Sequence, residues 1–338
     1  MRPTLVHIAR EAGVSSATVD RVLNDRPGVR ASTRDLVMEA ARQVGYVSAV
    51  QSESPQPIAN LALDFVLPAG TNSFLEDLRQ QLIRQGEQTA NVSVRVHSIE
   101  GFNPFTLAET LKRLEGKSSG VGIVGLDHPT VREAIRATTL SGVPVITLLS
   151  DIHHVPRAGY VGIDNRSAGR LAGYLTARLL GPGAYQVALF AGSLSYRGHE
   201  EREAGFRHII AEEFPEITVI DLTEVKDDNE QAYRAAIAHL DAHPKVAAIY
   251  NIGGGSLGIA RALEERGRAQ SIVFVGHELT PVHQSLLLSG TMDVAIDQNA
   301  RVEAREAIAQ LAKVAHGEAW DMHPLRIAVF FRENLPGD

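Results

Sequence analysis

Residues 13–24 read GVSSATVDRVLN. Val19, Val22 and Leu23 recur at helical spacing and form one apolar stripe, which leaves Ser16, Ala17, Asp20, Arg21 and Asn24 on the opposite side. Ser15 precedes the run and can cap it, while Gly13 supplies the turn before it. Upstream, Thr4 can cap a helix that turns Leu5, Ile8, Ala9 and Ala12 inward. Downstream, after the loop DRPGV, Ser32 or Thr33 begins a third helix with Leu36, Val37, Ala40 and Ala41 inward, ending near Gly45. Residues 1–47 are therefore expected to be a three-helix head containing a helix-turn-helix, with no strand.

A chain of 338 residues exceeds one compact domain on the usual size prior. No apolar run approaches the ~20 residues that span a bilayer, and the N-terminus lacks the charge-then-apolar order of a signal peptide. A cytoplasmic protein without membrane partners is expected. The absence of cysteine excludes disulfides, thiol nucleophiles and thiolate metal sites. The net charge of −7 hides an asymmetry: residues 1–47 carry seven arginines against five acidic residues, leaving 26 basic and 35 acidic residues for the remainder. Only the head is suited to a polyanion.

Residues 48–60 are polar, contain two prolines and lack an apolar period, which marks a linker. From residue 61 to the end, strand-like runs (LALDFVL, VSVRV, VGIVG, PVITLL, YVGI, QVALFA, ITVIDL, AAIY, IVFVG, MDVAI, IAVFF) alternate with helical segments at 74–90, 104–115, 129–141, 165–180, 200–213, 228–242, 256–268 and 301–316. This α/β alternation predicts parallel sheets covered by helices. The strand number is too large for one sheet, so two Rossmann-like subdomains are expected, with ligand-binding residues directly after the strands.

The stretches TLVHIAREAGVSSATVDRVLN (4–24) and PGVRASTRDLVMEAARQVGY (27–46) closely resemble the DNA-binding head of the LacI/GalR (lactose-repressor) family. Softer motifs extend the resemblance to about residue 331: NSFLEDL, GVPVITLLSD, GYVGIDNRSAGRLAGYL, REAGF and IDQNARVEA. The resemblance implies a type I periplasmic-binding-protein-like body that binds an effector and dimerises, and a transcriptional repressor controlled by a small carbohydrate-like effector. In such a head Ser16, Ala17 and Arg21 would face base edges, arginine's fork matching guanine O6 and N7. Ser15, Thr18 and Asn24 would suit phosphate contacts, and Thr4 and Arg30 are expected among the DNA-binding residues. Read from the residues alone, a three-helix domain packed on a partner protein is the alternative.

Two departures from the family stand out. Asp20 replaces a customary serine, and a carboxylate there could accept from cytosine N4. The linker also lacks the family's hinge helix: Pro55 falls where relatives place the leucine that wedges into the minor groove, and proline breaks a short helix. An operator bound without a sharp central kink is expected.

For the effector, the resemblance and the strand-end rule select Asn72, Phe74, Ser150, Asp151, Arg202, Asn251, His277, Glu278 and Gln298. Arg202 corresponds to the family's ligand-gripping arginine, although HEEREAGFRH is also readable as a charged helix face. Glu278 stands where relatives usually carry aspartate. His128 and His199 are read as structural, and Asp164-Asn165 as a helix cap. The His153-His154 pair is read as surface loop, and no metal site, cofactor or catalytic set is expected. One motif competes: Gly253-x-Gly255-x-x-Gly258 follows a strand, with Glu278 twenty residues beyond, which has the form of a dinucleotide fingerprint. It comes late in the chain and no catalytic pair accompanies it. An NAD(P)-dependent enzyme, or a ligand sensor that binds no operator, remain the alternatives.

Overall fold

The computed structural model describes residues 4–23, 26–44, 60–101 and 103–336. The chain divides into two compact units, Met1–Ala59 and Asn60–Asp338. The first holds three helices, α1 (Leu5–Glu11), α2 (Ser16–Leu23) and α3 (Ala31–Gln43). Gly13 adopts a φ of 63°, and the Val14 N–H reaches back to the Ala9 carbonyl at 3.0 Å, the left-handed closure that turns α1 sharply into α2. Ile8, Val19, Val37 and Ala41 are fully buried at the centre of this unit. Leu36, expected inward, is 54% exposed; the three-helix core closes on Val37, Ala40 and Ala41, one face further round the helix. Asn24, Tyr46 and the proline-bearing linker lie outside the described residues.

The second unit contains two sheets. The first has the order β2-β1-β3-β4-β5, all parallel, from β1 (Leu61–Ala69), β2 (Val92–Glu100), β3 (Gly120–Ile123), β4 (Val145–Leu148) and β5 (Gly159–Val161). The second has the order β11-β10-β9-β8-β6-β7, from β6 (Gln186–Ala191), β7 (Thr218–Glu224), β8 (Val246–Asn251), β9 (Val273–His277), β10 (Val294–Asp297) and β11 (Ala328–Phe330). Only the edge pair β10–β11 is antiparallel. Every strand run expected from the sequence forms a strand. The helix α11 (Pro281–Ser289) was not anticipated: PVHQSLLLS is too short and too uniformly apolar for a clear helical period, and Thr280 caps it through the His283 N–H.

The chain passes between the lobes three times. After β5 it enters α7 (Asn165–Leu180), which packs on the second sheet through Ala172 and Ala177. After β10 it returns as α12 (Ala300–Ala315), whose Ala304, Ala307 and Leu311 join the first lobe's core. It then recrosses to β11, with Ile163 bridging to Leu325. These crossings set the floor of the cleft between the lobes. Among the described residues, no helix is long and apolar enough to cross a membrane and no acidic or histidine cluster is arranged to hold a metal.

Candidate functional site

In the head, Ser15 caps α2, its Oγ accepting the Thr18 N–H at 3.2 Å and lying 2.9 Å from Thr18 Oγ1. Burial of Val19 and Val22 fixes which face points out, so Ser16, Ala17 and Arg21 are exposed together. Asp20 sits beside them, with Arg26 Nη1 donating to its Oδ2 at 3.3 Å. Thr4 and Arg30 are exposed, and the Thr4 N–H donates to His7 Nδ1 at 3.0 Å at the start of α1. The outer face of α2 is thus short, polar and continuous, the form of a helix that enters a major groove.

In the second unit, a cavity of about 110 Å³ opens between the two sheets at their carboxyl ends. Seven of the nine expected effector residues line it: Asn72, Phe74, Ser150, Arg202, His277, Glu278 and Gln298. Six of them end or follow a strand, or begin the helix after it, at the same end of their sheet, and Arg202 reaches the cavity from the second turn of its helix. Arg202 lies on α8 (Arg197–Glu213), which packs so tightly on α7 that a Cβ on Gly169 would fall on the Arg202 carbonyl oxygen. Gly205 lies equally close to the Arg166 carbonyl. This contact seats the guanidinium, only 4% exposed, at the cleft floor. Its Nε donates to Asn165 Oδ1 at 2.7 Å, its Nη1 to the Ile252 carbonyl at 3.0 Å, and its Nη2 lies 3.6 Å from Glu278 Oε1.

Two expected residues are not at the cavity. Asp151 is turned away: Arg157 grips its carboxylate with both arms of the guanidinium, and Thr147 Oγ1 donates to Oδ1 at 2.7 Å. That pair ties the end of β4 to the loop leading into β5. Asn251 is fully buried, and its Nδ2 donates to the Gly253 carbonyl at 2.9 Å and to Ser256 Oγ, so it shapes the glycine loop. Conversely, His199, read from the sequence as structural, and Asn165, read as part of a helix cap, both line the cavity. Asp164 does cap α7, through the Ser167 N–H at 2.9 Å. Its neighbour Asn165 instead holds Arg202 and donates to the Leu149 carbonyl at 2.9 Å. His128 caps α6 (Pro129–Leu140), as a structural histidine should.

Asp227 was also missed, because sequence placed it in a featureless loop. It joins the two lobes across the cavity mouth: Asn72 Nδ2 donates to its Oδ2 at 3.1 Å, Thr71 Oγ1 to its carbonyl at 2.8 Å, and the Gly254 N–H to its Oδ1 at 2.7 Å. A protein carboxylate therefore takes the Gly254 N–H of the loop that a dinucleotide fingerprint would offer to pyrophosphate. The glycines have packing reasons instead: Gly255 takes a φ of 95°, and a Cβ on Gly258 would fall on the Asn229 carbonyl. Leu149, Asp227 and Glu278 all hold positive φ around this cavity (60°, 55° and 74°), strain of the kind that gathers at binding sites.

Burial sets the protonation of the cavity. It raises the Glu278 carboxyl to about 8 against the opposing pull of Arg202, and it also raises the Glu303 carboxyl well above the usual range. Burial lowers His283 to about 4 and lowers His277 and His199. A carboxyl raised on folding stabilises while protonated, so that contribution is lost as pH rises toward about 8. A histidine lowered on folding must be charged against burial, so stability also falls as pH drops from about 6.5 to about 4. The carboxyl limb begins at about pH 4.5 and the histidine limb ends at about 6.5, so the two oppose each other between these values; thermal melts should show stability falling between about pH 6.5 and about 8, where only the carboxyl acts, and a constant Tm there would contradict the burial of Glu278.

The periplasmic binding protein domain family matches residues 59–319, and the lacI family of bacterial regulatory proteins matches residues 4–48. An HTH-type transcriptional regulator in the aml 5′ region of Streptomyces limosus is 28% identical over 322 residues, 86% of each chain. Catabolite control protein A of Priestia megaterium is 24% identical over 270 residues, 79% of each chain. Among solved structures, the glucose-galactose binding protein GanP of Geobacillus stearothermophilus superposes with a TM-score of 0.73 at 25% identity, covering 81% of this chain and 99% of that one. The two-lobed body has the type I periplasmic-binding-protein fold, and the helical head in front of it is a DNA-binding domain. The chain belongs to the periplasmic binding protein domain family through residues 59–319, and its residues 4–48 are a lacI-family head.

Proposed function

We propose that this chain is a cytoplasmic, homodimeric repressor whose two heads read the half-sites of a pseudo-palindromic operator, and whose operator affinity is set by a small carbohydrate or polyol bound between the lobes. The observation that carries the reading is the buried Arg202, held at the floor of the cavity between the lobes. A ligand touching both lobes changes their separation only through its unequal contacts with the two states, with coupling of typically ~1–3 kcal/mol. Dimerisation follows from the smallness of one head, since two linked heads multiply their affinities. Asn72, Phe74, Ser150, Arg202, His277, Glu278 and Gln298 form the effector set in this reading, with His199 and Asn165 added. No catalytic role is assigned: the glycine loop that resembled a cofactor site is filled by Asp227.

On the head, Ser16, Ala17 and Arg21 meet base edges, Asp20 modulates the choice of base, and Thr4, Ser15, Thr18, Asn24 and Arg30 position the helix on phosphates. Arg21→Ala is expected to weaken binding to the preferred operator by ~1–3 kcal/mol while leaving non-specific binding nearly unchanged. Fluorescence anisotropy with a selected pseudo-palindrome and a scrambled duplex measures both. Equal losses on the two duplexes would make Arg21 a phosphate contact. The whole reading is tested by the same titration at two salt concentrations, with and without a sugar found by thermal shift. Specific binding that weakens steeply with salt and changes with the sugar supports it; ligand binding without operator binding would make the chain a sensor only.

A further inference from the structure

The loop after α2 is folded back onto the helix it follows. The Arg26 N–H donates to the Arg21 carbonyl at 2.8 Å, which closes the last turn of α2, and Arg34 Nη2 of α3 donates to the Arg26 carbonyl at 3.4 Å. Gly28, at a φ of 101°, then turns the chain toward α3. With both its backbone groups held, Arg26 reaches back to Asp20, Nη1 donating to Oδ2 at 3.3 Å. Asp20 stands one turn after Ser16 and Ala17 and next to Arg21, on the side of α2 that the burial of Val19 and Val22 turns outward. A lone carboxylate there would be repelled by the phosphates of a duplex. An accessible ion pair of this kind contributes little to folding, so its effect falls on the surface that α2 presents.

We propose that Asp20 and Arg26 act as one base-reading unit, in which Asp20 takes the exocyclic amine of a cytosine or adenine in the major groove and Arg26 is the positioning residue that holds the carboxylate for it. This rests on the operator-binding reading and adds to it a residue and a class of base. The donors that bases expose in the major groove are the N4 amine of cytosine and the N6 amine of adenine; guanine shows two acceptors, and thymine an acceptor and a methyl. An ionised carboxylate can only accept, so it fits the first two bases and rejects the others. Its two oxygens offer about four lone-pair sites, which leaves capacity for a base beside the arginine. Arg26 contributes twice: its charge offsets the carboxylate's repulsion from phosphates, and its Nη1 fixes the direction in which the carboxylate turns. The adjacent Arg21 carries only donors, so the two neighbouring positions of α2 select opposite kinds of base edge.

The test is selection by the full chain from pseudo-palindromic duplexes with randomised half-sites, followed by fluorescence anisotropy on the selected duplex and its single-base variants. One position of each half-site should prefer cytosine or adenine on one strand, and guanine or thymine in its place should weaken binding ~10-fold or more. Asp20→Ser should flatten that ratio to about threefold or less, and should bind a scrambled duplex more tightly because a negative charge has left the surface that meets phosphates. Arg26→Gln should lower the same ratio at least ~threefold in the native chain and leave it unchanged in the Asp20→Ser chain, a coupling that the double-mutant cycle isolates. Arg26→Lys keeps a charge beside the carboxylate and should restore most of the ratio. A ratio cancels any uniform loss of phosphate attraction, and circular-dichroism melts of each variant report whether the head stays folded. Asp20→Ser that flattens no position, or that flattens one preferring guanine or thymine, overturns the proposal. A ratio unmoved by Arg26→Gln also overturns it, and all three results leave the operator-binding reading standing. Failure of the native chain to bind any selected duplex more tightly than the scrambled one overturns both.

Discussion

Arg202→Ala is expected to reduce affinity for the effector sugar by at least ~100-fold, equivalent to ~2.7 kcal/mol, and to uncouple that sugar from operator binding. The side chain is buried and fastens three elements at once: Asn165 at the lobe crossing, the Ile252 carbonyl after β8, and Glu278 after β9. Its removal takes away the guanidinium that lines the cavity and leaves the Asn165 and Ile252 oxygens without their donor, at ~1–3 kcal/mol each. The cost from Glu278 is smaller than for an ordinary buried carboxylate, because that group can escape its lost partner by keeping a proton. Arg202→Lys should not rescue binding, since a single ammonium cannot reach two acceptors and a carboxyl in the geometry of a planar fork. Calorimetry on both variants, with circular-dichroism melts to separate binding from folding, decides the matter. Binding retained within threefold in the alanine variant would remove Arg202 from the effector site.

Gly169→Val should be the most damaging single change in the second unit, although residue 169 touches neither ligand nor DNA in this reading. The β-carbon would fall on the carbonyl oxygen of Arg202, and backbone cannot yield as a flexible side chain can. Relief requires α7 and α8 to separate along a contact that also includes Gly173 against Ile209 and Gly205 against Arg166. Overpacking of this kind costs ~3 kcal/mol or more, which for a unit of this size lowers Tm by roughly 6–12 °C. Effector binding should fall with it, because the same separation displaces Arg202 from Asn165. The exposed Arg178 lies on the same helix, and Arg178→Val should change Tm by no more than a degree or two if sterics rather than β-branching is responsible. Equal shifts in the two variants would refute the packing argument.

The sequence by itself determined the three-helix head, the alternating strands and helices of the body and the strand-end placement of six cavity residues, Arg202 being selected through the family resemblance. Each of these is written in a local period, a cap or a strand-end position, and such signals survive without knowledge of what packs against what. The spacing of Val19 and Val22 selects the outer face of α2 before any partner is known, and a residue following a parallel strand is bound to lie at the sheet's ligand-binding edge. Tertiary structure decided what spacing cannot encode. Asp151 and Asn251 stand at strand ends like their neighbours, yet Arg157 in one case and the glycine loop in the other claim their polar groups. Asp227 and His199 carry no local signal, and they reach the cavity because the glycine-rich turn after β8 and the start of α8 come together there. The upward shift of the Glu278 carboxyl is likewise absent from the string of residues: it arises from burial, with Asp297 adding to it and Arg202 opposing it, groups brought together only when the lobes fold side by side.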